Sequence, residues 1–177
     1  MQFYEALGLE PRLALDLEDV KKRFYDRSRQ WHPDRFSRAS AAEQQKALDM
    51  TSLLNDAFRT IRDPVARAEY FLREKGLELT AKEAPPELLE EVFDLNMALE
   101  EIRSGDESAR PQLIAAEERF RKMLTEIDED LAAKSAASDA GNRSMLEEIR
   151  AMLNRRKYVS NLVRDVEKAV GQVSDLP

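Results

Sequence analysis

The chain of 177 residues contains no cysteine. That excludes a disulfide framework, a zinc finger, a thiolate-held iron–sulfur cluster and a cysteine nucleophile. One histidine, His32, excludes a multi-histidine metal centre. Glycine is scarce at five residues, and no apolar run approaches the roughly 18 residues of a membrane span. Positive charge is also in deficit: 28 Lys and Arg against 35 Asp and Glu leave a net charge of −7. An acidic chain is a poor partner for nucleic acid or an anionic membrane, so neither is expected. The start, MQFYEALGLEPR, has neither the basic beginning nor the apolar core of a secretory signal. The expectation is a cytoplasmic protein.

What is present points to helices. Apolar residues make up 42% of the chain, enough for a core at this length, and charged residues 36%, enough for long solvated faces. The charge is uneven. Residues 1–76 carry 14 basic and 13 acidic side chains; residues 77–177 carry 14 and 22. The change falls at ELTAKEAPP, which lacks apolar periodicity and ends in Pro85-Pro86. We read residues 77–86 as a linker between two modules, 1–76 and 87–177.

Local signals divide the first module into four helical pieces. Phe3, Tyr4 and Leu7 form a short one closed by Gly8. Asp16 is an N-cap, with Asp19 three residues on in a weak capping-box arrangement. Leu17, Val20, Phe24 and Trp31 follow at helical spacing until Pro33 stops the helix. Ser40 caps a helix carrying Ala47, Leu54, Phe58 and Ile61, and Asp63-Pro64 opens another that Gly76 ends. The second module reads as three helices. Their stripes are Leu88, Val92, Leu95, Leu99, Ile102; then Leu113, Ala116, Phe120, Ile127, Leu131; then Leu146, Ile149, Leu153, Val159, Leu162, Val166. A polar loop at 135–142 separates the last two. No period-two strand pattern competes, so the expected fold is all-α, with an antiparallel three-helix bundle as its second half.

The sharpest motif is His32-Pro33-Asp34, at the end of a helix bearing Lys21, Lys22, Arg23, Arg27 and Arg29. Projected at about 100° per residue, Lys22 and Arg29 lie opposite Phe24 on the outer face. Such a ridge would steer an acidic protein partner; read alone, it is more simply a solvated amphipathic helix stopped by proline. In the second module Leu89, Phe93 and Met97 form an i, i+4, i+8 stripe beside the core stripe. An apolar face wider than one seam marks either a broad core or a partner site. The pair His32/Asp34 lacks a nucleophile, a phosphate loop or a second histidine beside it, so no enzyme and no cofactor are expected.

FYEALGL, KKRFYDRSRQWHPDRF and NDAFRTIRDPVARAEYFL together resemble a J domain, the module that activates DnaK-type chaperone ATPases. This covers residues 1–76 and implies a helical hairpin with short flanking helices. It assigns His32, Pro33 and Asp34 to chaperone stimulation, with Lys21, Lys22, Arg29 and Arg35 as docking contacts. Many general J domains are basic at the two positions after the second-helix aromatic; here they are Tyr25 and Asp26. That departure, Trp-His-Pro-Asp-Arg-Phe, Leu9-Glu10-Pro11-Arg12, Arg67-Ala68-Glu69-Tyr70-Phe71-Leu72 and the helical second module resemble the HscB branch, co-chaperones of iron–sulfur cluster biogenesis. The resemblance implies an HscA- or DnaK-type partner and an IscU-type scaffold as client. It places Leu89, Phe93, Met97, Lys157 and Tyr158 on the client face, with Asn96 and Met97 where the family often has charged residues. The alternative is a J-domain adaptor for a different client.

Overall fold

The computed structural model describes residues 1–80, 84–137 and 142–172. Seven α-helices carry the described residues: α1 Gln2–Leu7, α2 Leu17–Gln30, α3 Ala41–Arg62, α4 Pro64–Glu74, α5 Leu89–Arg103, α6 Arg110–Ala137 and α7 Arg143–Gln172. Short 3-10 helices occupy Pro33–Phe36, Pro86–Leu88 and Glu107–Ala109. The chain folds as two compact units. One joins Met1–Glu78 with Ala132–Ile149, the other Leu79–Leu131 with Arg150–Pro177. The units are therefore interleaved in sequence, which the expected cut at 77–86 does not express. Leu77, placed in that linker, is buried in the first unit.

In the first unit the helix ends form where their local chemistry sets them. Gly8 closes α1 at φ 67°, and its N–H donates to the Glu5 carbonyl. A Cβ there would stand 2.4 Å from Arg27 Nη2, so glycine meets both a backbone and a packing demand. Asp16 caps α2 by accepting from the Glu18 N–H at 2.9 Å. Asp19 does not complete a capping box; its carboxylate takes Arg23 Nε at 2.8 Å instead. Ser40 and Glu43 form the full reciprocal box at the start of α3, an arrangement that contributes about 1 kcal/mol. The two Ser40 donors hold the Glu43 carboxyl below its usual range. Asp63 caps α4 through the Ala66 N–H at 2.7 Å, with Pro64 in the first turn.

The core of this unit gathers Tyr4 and Leu7 from α1, Leu13, Val20 from α2, Ala47, Leu54, Ala57 and Ile61 from α3, and Ala68, Phe71 and Leu72 from α4. Phe3 stacks on Tyr70 at 4.6 Å, and Phe24 on Phe58 at 4.2 Å. The latter pair fastens α2 to α3. Arg67 is a charged residue inside this unit, and periodicity gave no sign of it. Its Nη1 donates to the Ile61 carbonyl at 2.7 Å, satisfying a C-terminal carbonyl of α3 across the α3–α4 corner. Burial pulls its pKa down, against the opposing pull of Tyr4 and Asp63.

In the second unit Leu88, Leu95, Ala98, Leu99 and Ile102 pack against Leu113, Ala116 and Phe120 of α6 and Val159, Leu162, Val163 and Val166 of α7. Gly105, at φ 92°, turns the chain after α5. Helices α6 and α7 run antiparallel. Arg110 donates to the Val170 carbonyl at 3.2 Å, Arg121 pairs with Glu167, and Arg156 meets Asp128 in a fork at 2.5 and 3.0 Å. The expected polar loop at 135–142 is partly wrong. Residues 135–137 continue α6, and Ser135 is buried. Ser135 turns inward, while Ala136 and Ala137 stay exposed and continue the helix on their own high helix propensity. Residues 138–141 lie outside the described residues.

Candidate functional site

The first candidate site is the segment between α2 and α3. Helix α2 stops at Gln30 because Pro33 restricts the residue before it, and His32 adopts extended backbone at φ −61°, ψ 128°. Its ring caps the following 3-10 helix: Nδ1 accepts the Asp34 N–H at 3.3 Å and lies 3.5 Å from Asp34 Oδ2. In the tautomer with Nδ1 accepting, Nε2 carries the ring proton and is a donor. Both His32 and Asp34 are exposed. A fixed loop thus presents an imidazole donor beside a carboxylate acceptor, a pair suited to polar recognition of another surface.

The loop is held from behind. The indole of Trp31 stacks on Phe36 at 5.9 Å and 7°, with the Lys46 ammonium over the indole. Thr51 Oγ1 donates to the Trp31 carbonyl at 3.1 Å, and Gln44 reaches the Ala39 carbonyl at 3.1 Å. Trp31 is therefore a packing residue, as its place before the proline suggests.

The basic helix divides by task. Arg23 donates to the Gly8 carbonyl at 2.6 Å and Arg27 packs against Gly8, so both serve the α1–α2 junction. Lys21 pairs with Glu18 at 2.6 Å, which raises its pKa, yet it stays exposed. Lys22 and Arg29 are exposed and make no ion pair among the described residues. Arg35 Nη1 donates to the Arg29 carbonyl at 3.3 Å, bringing the 3-10 helix back against the end of α2. Lys22 and Arg29, with Arg35 tied back to the end of α2, accordingly form the positive surface beside His32 and Asp34. Tyr25, on the same helix face, is 57% exposed. Its i+3 relation to Lys22 is the signal that would have found it.

The second candidate site lies on α5. Leu88, Leu95, Ala98, Leu99 and Ile102 point into the core, so one face of the helix is satisfied. Leu89, Phe93 and Met97 do not join it; they are 56%, 66% and 51% exposed. Their four-residue spacing aligns them along one side of the helix as an uncovered apolar strip. On α7, Lys157 is exposed, whereas Tyr158 is half-buried against the core.

The basic run before Lys157 is tied into the fold. Asn154 Oδ1 accepts the Thr80 N–H at 2.8 Å, and Arg155 pairs with Glu87 at 3.4 Å. Together with the Arg156–Asp128 fork, these contacts spend the run on tethering α7. The Arg155–Glu87 pair sets this turn of α7 beside the start of α5. No group of acidic or histidine ligands suited to a metal occurs among the described residues. No helix among them is long and apolar enough to cross a membrane.

Comparison with known proteins agrees with both halves. The DnaJ domain family matches residues 2–70, and the family described as the HSCB C-terminal oligomerisation domain matches residues 84–167. A Co-chaperone protein HscB homolog from Vibrio vulnificus is 29% identical over 174 residues, spanning 94% of this chain and 95% of the relative. One from Neisseria meningitidis is 34% identical over 109 residues, or 60% of this chain and 66% of the relative. Chaperone HscB from Vibrio cholerae superposes with a TM-score of 0.66 at 26% identity, covering 98% of this chain and 99% of its own. The crystal structure of human co-chaperone protein HscB gives 0.69 at 20% identity, over 95% and 81%, a likeness of fold. A J domain with an exposed His-Pro-Asp loop, followed by the HscB-type helical module, places the chain in the family of HscB-type J-domain co-chaperones.

Proposed function

We propose that this protein stimulates the ATPase of an HscA- or DnaK-type chaperone and delivers to it an IscU-type iron–sulfur cluster scaffold, in the cytoplasm. One observation carries the reading: two chemically distinct surfaces stand exposed, a polar and basic one around His32 and Asp34 and an apolar one on α5. Residues 1–76 present the His32-Pro33-Asp34 loop beside Lys21, Lys22, Arg29 and Arg35. Residues 87–177 present Leu89, Phe93 and Met97, with Lys157 and Tyr158 on α7. The first surface suits an acidic chaperone face, with Asp34 meeting a cation within it. The second suits an apolar client face.

Docking at the loop favours the chaperone state that hydrolyses ATP and closes on client, which is a coupling of two equilibria. Holding the client on the same chain raises its effective concentration at the chaperone. The protein contributes no thiolate, so the cluster stays with the scaffold. Its role is binding and coupling, with the hydrolysis performed by the chaperone.

The test is to measure chaperone ATP turnover with this protein and the scaffold, each alone and together. Turnover is expected to rise with this protein alone and further, more than additively, with both. No rise with this protein overturns the J-domain assignment. A rise indifferent to the scaffold overturns the client assignment.

A further inference from the structure

We infer that Tyr25 is the aromatic anchor of the chaperone-docking face, seating on an apolar side chain ringed by carboxylates on the ATPase. This rests on the docking role proposed above and names a residue outside its set of polar contacts. Tyr25 stands four residues after Lys21, three after Lys22 and four before Arg29. On a helix of about 3.6 residues per turn, that spacing puts it amid those three cations.

The ring is braced from within the fold. It tilts against Phe24 at 5.5 Å and 55°, and Phe24 stacks on Phe58 of α3 at 4.2 Å and 11°. The Arg62 guanidinium lies 5.3 Å from the Phe58 ring, closing the column. The Tyr25 hydroxyl makes no hydrogen bond among the described residues. The side chain is thus positioned by packing, left 57% exposed, and given no task inside the protein. An aromatic held in place loses little freedom on binding, and a large ring inside a charged rim has the anatomy of an interface hot spot. The surrounding cations select an acidic partner; the ring adds contact that ionic attraction does not supply. An uncommitted apolar ring in the middle of that face therefore discriminates among acidic surfaces.

The experiment titrates wild type, Tyr25→Ala and Tyr25→Phe into the DnaK-type chaperone of the same cell and reads ATP turnover. Tyr25→Ala is expected to raise the half-maximal concentration about tenfold while leaving the maximal rate unchanged, because His32 and Asp34 remain. Tyr25→Phe should stay within about twofold of wild type, since the ring face is kept. Raising salt should weaken all three alike, preserving the wild-type to Tyr25→Ala ratio, whereas a Lys22→Ala penalty shrinks with salt. Circular dichroism checks that each variant keeps its helicity. A folded Tyr25→Ala with the wild-type half-maximal concentration overturns the anchor while leaving the J-domain role standing. So does a lower maximal rate at unchanged half-maximal concentration. Absence of any stimulation by wild type overturns both.

Discussion

Replacing His32 with Gln is expected to all but abolish stimulation of the chaperone ATPase and to leave the fold as it is. The imidazole does two things that glutamine cannot do together. It caps the Pro33–Phe36 turn by accepting the Asp34 N–H at Nδ1, and it keeps Nε2 available as a donor on a rigid ring. A glutamine amide can supply either group, but on a chain with more rotatable bonds, so the paired geometry with Asp34 is lost. Coupling energies between sites are commonly about 1–3 kcal/mol, or 5- to 150-fold, so stimulation should fall to a small fraction of wild type. Stability should change by less than about 0.5 kcal/mol, because the ring is exposed and the loop is held by Trp31, Phe36 and Thr51 instead. Thermal unfolding and ATP turnover measured on the same preparation separate the two effects. Normal stimulation by the folded variant would remove His32 from the mechanism.

The double variant Leu89→Ala/Phe93→Ala has the opposite profile. It is expected to lose the scaffold and to keep the ATPase response to its J domain. The two side chains are more than half exposed and lie outside the core stripe of α5, so their truncation opens no cavity. In a complex they would be buried, and truncating interface anchors commonly costs about 2 kcal/mol or more each at a hot spot. Calorimetric titration with the scaffold should show affinity weakened by at least about thirtyfold, or roughly 2 kcal/mol. The basal stimulation by the variant without scaffold should match wild type. Unchanged affinity would return the strip to the status of ordinary exposed surface.

The parts of the structure that were legible are those governed by neighbours in sequence. Gly8, Asp16, Ser40 and Asp63-Pro64 mark helix ends through capping and backbone chemistry that acts within four residues. The spacing along α5 set Leu89, Phe93 and Met97 beside its core stripe and left open whether the core covers them; the fold leaves them exposed. What escaped depends on distant partners. Asp19 fits a capping box as well as an ion pair, and Arg23 decided between them. Arg155 and Arg156 look like a solvated run until Glu87 and Asp128 arrive beside them. Arg67 is basic in the sequence and buried in the fold, since only the folded corner brings the Ile61 carbonyl within reach. Residues 135–137 have composition compatible with loop or helix; they continue α6, with Ser135 buried and the two alanines exposed. Tyr158 likewise reads as a surface partner to Lys157, while the structure half-buries it on the core.

In the proposed role one chain must hold both partners at once, and mixing the two variants tests this. His32→Gln keeps the client strip and lacks the chaperone loop; Leu89→Ala/Phe93→Ala keeps the loop and lacks the strip. Chaperone ATP turnover is measured with the scaffold present, at protein concentrations below saturation. If tethering supplies the effective concentration, the mixture gives only the response of the second variant alone, far below wild type. Recovery of the wild-type response by the mixture would contradict the account, since the two sites would then work without sharing a chain.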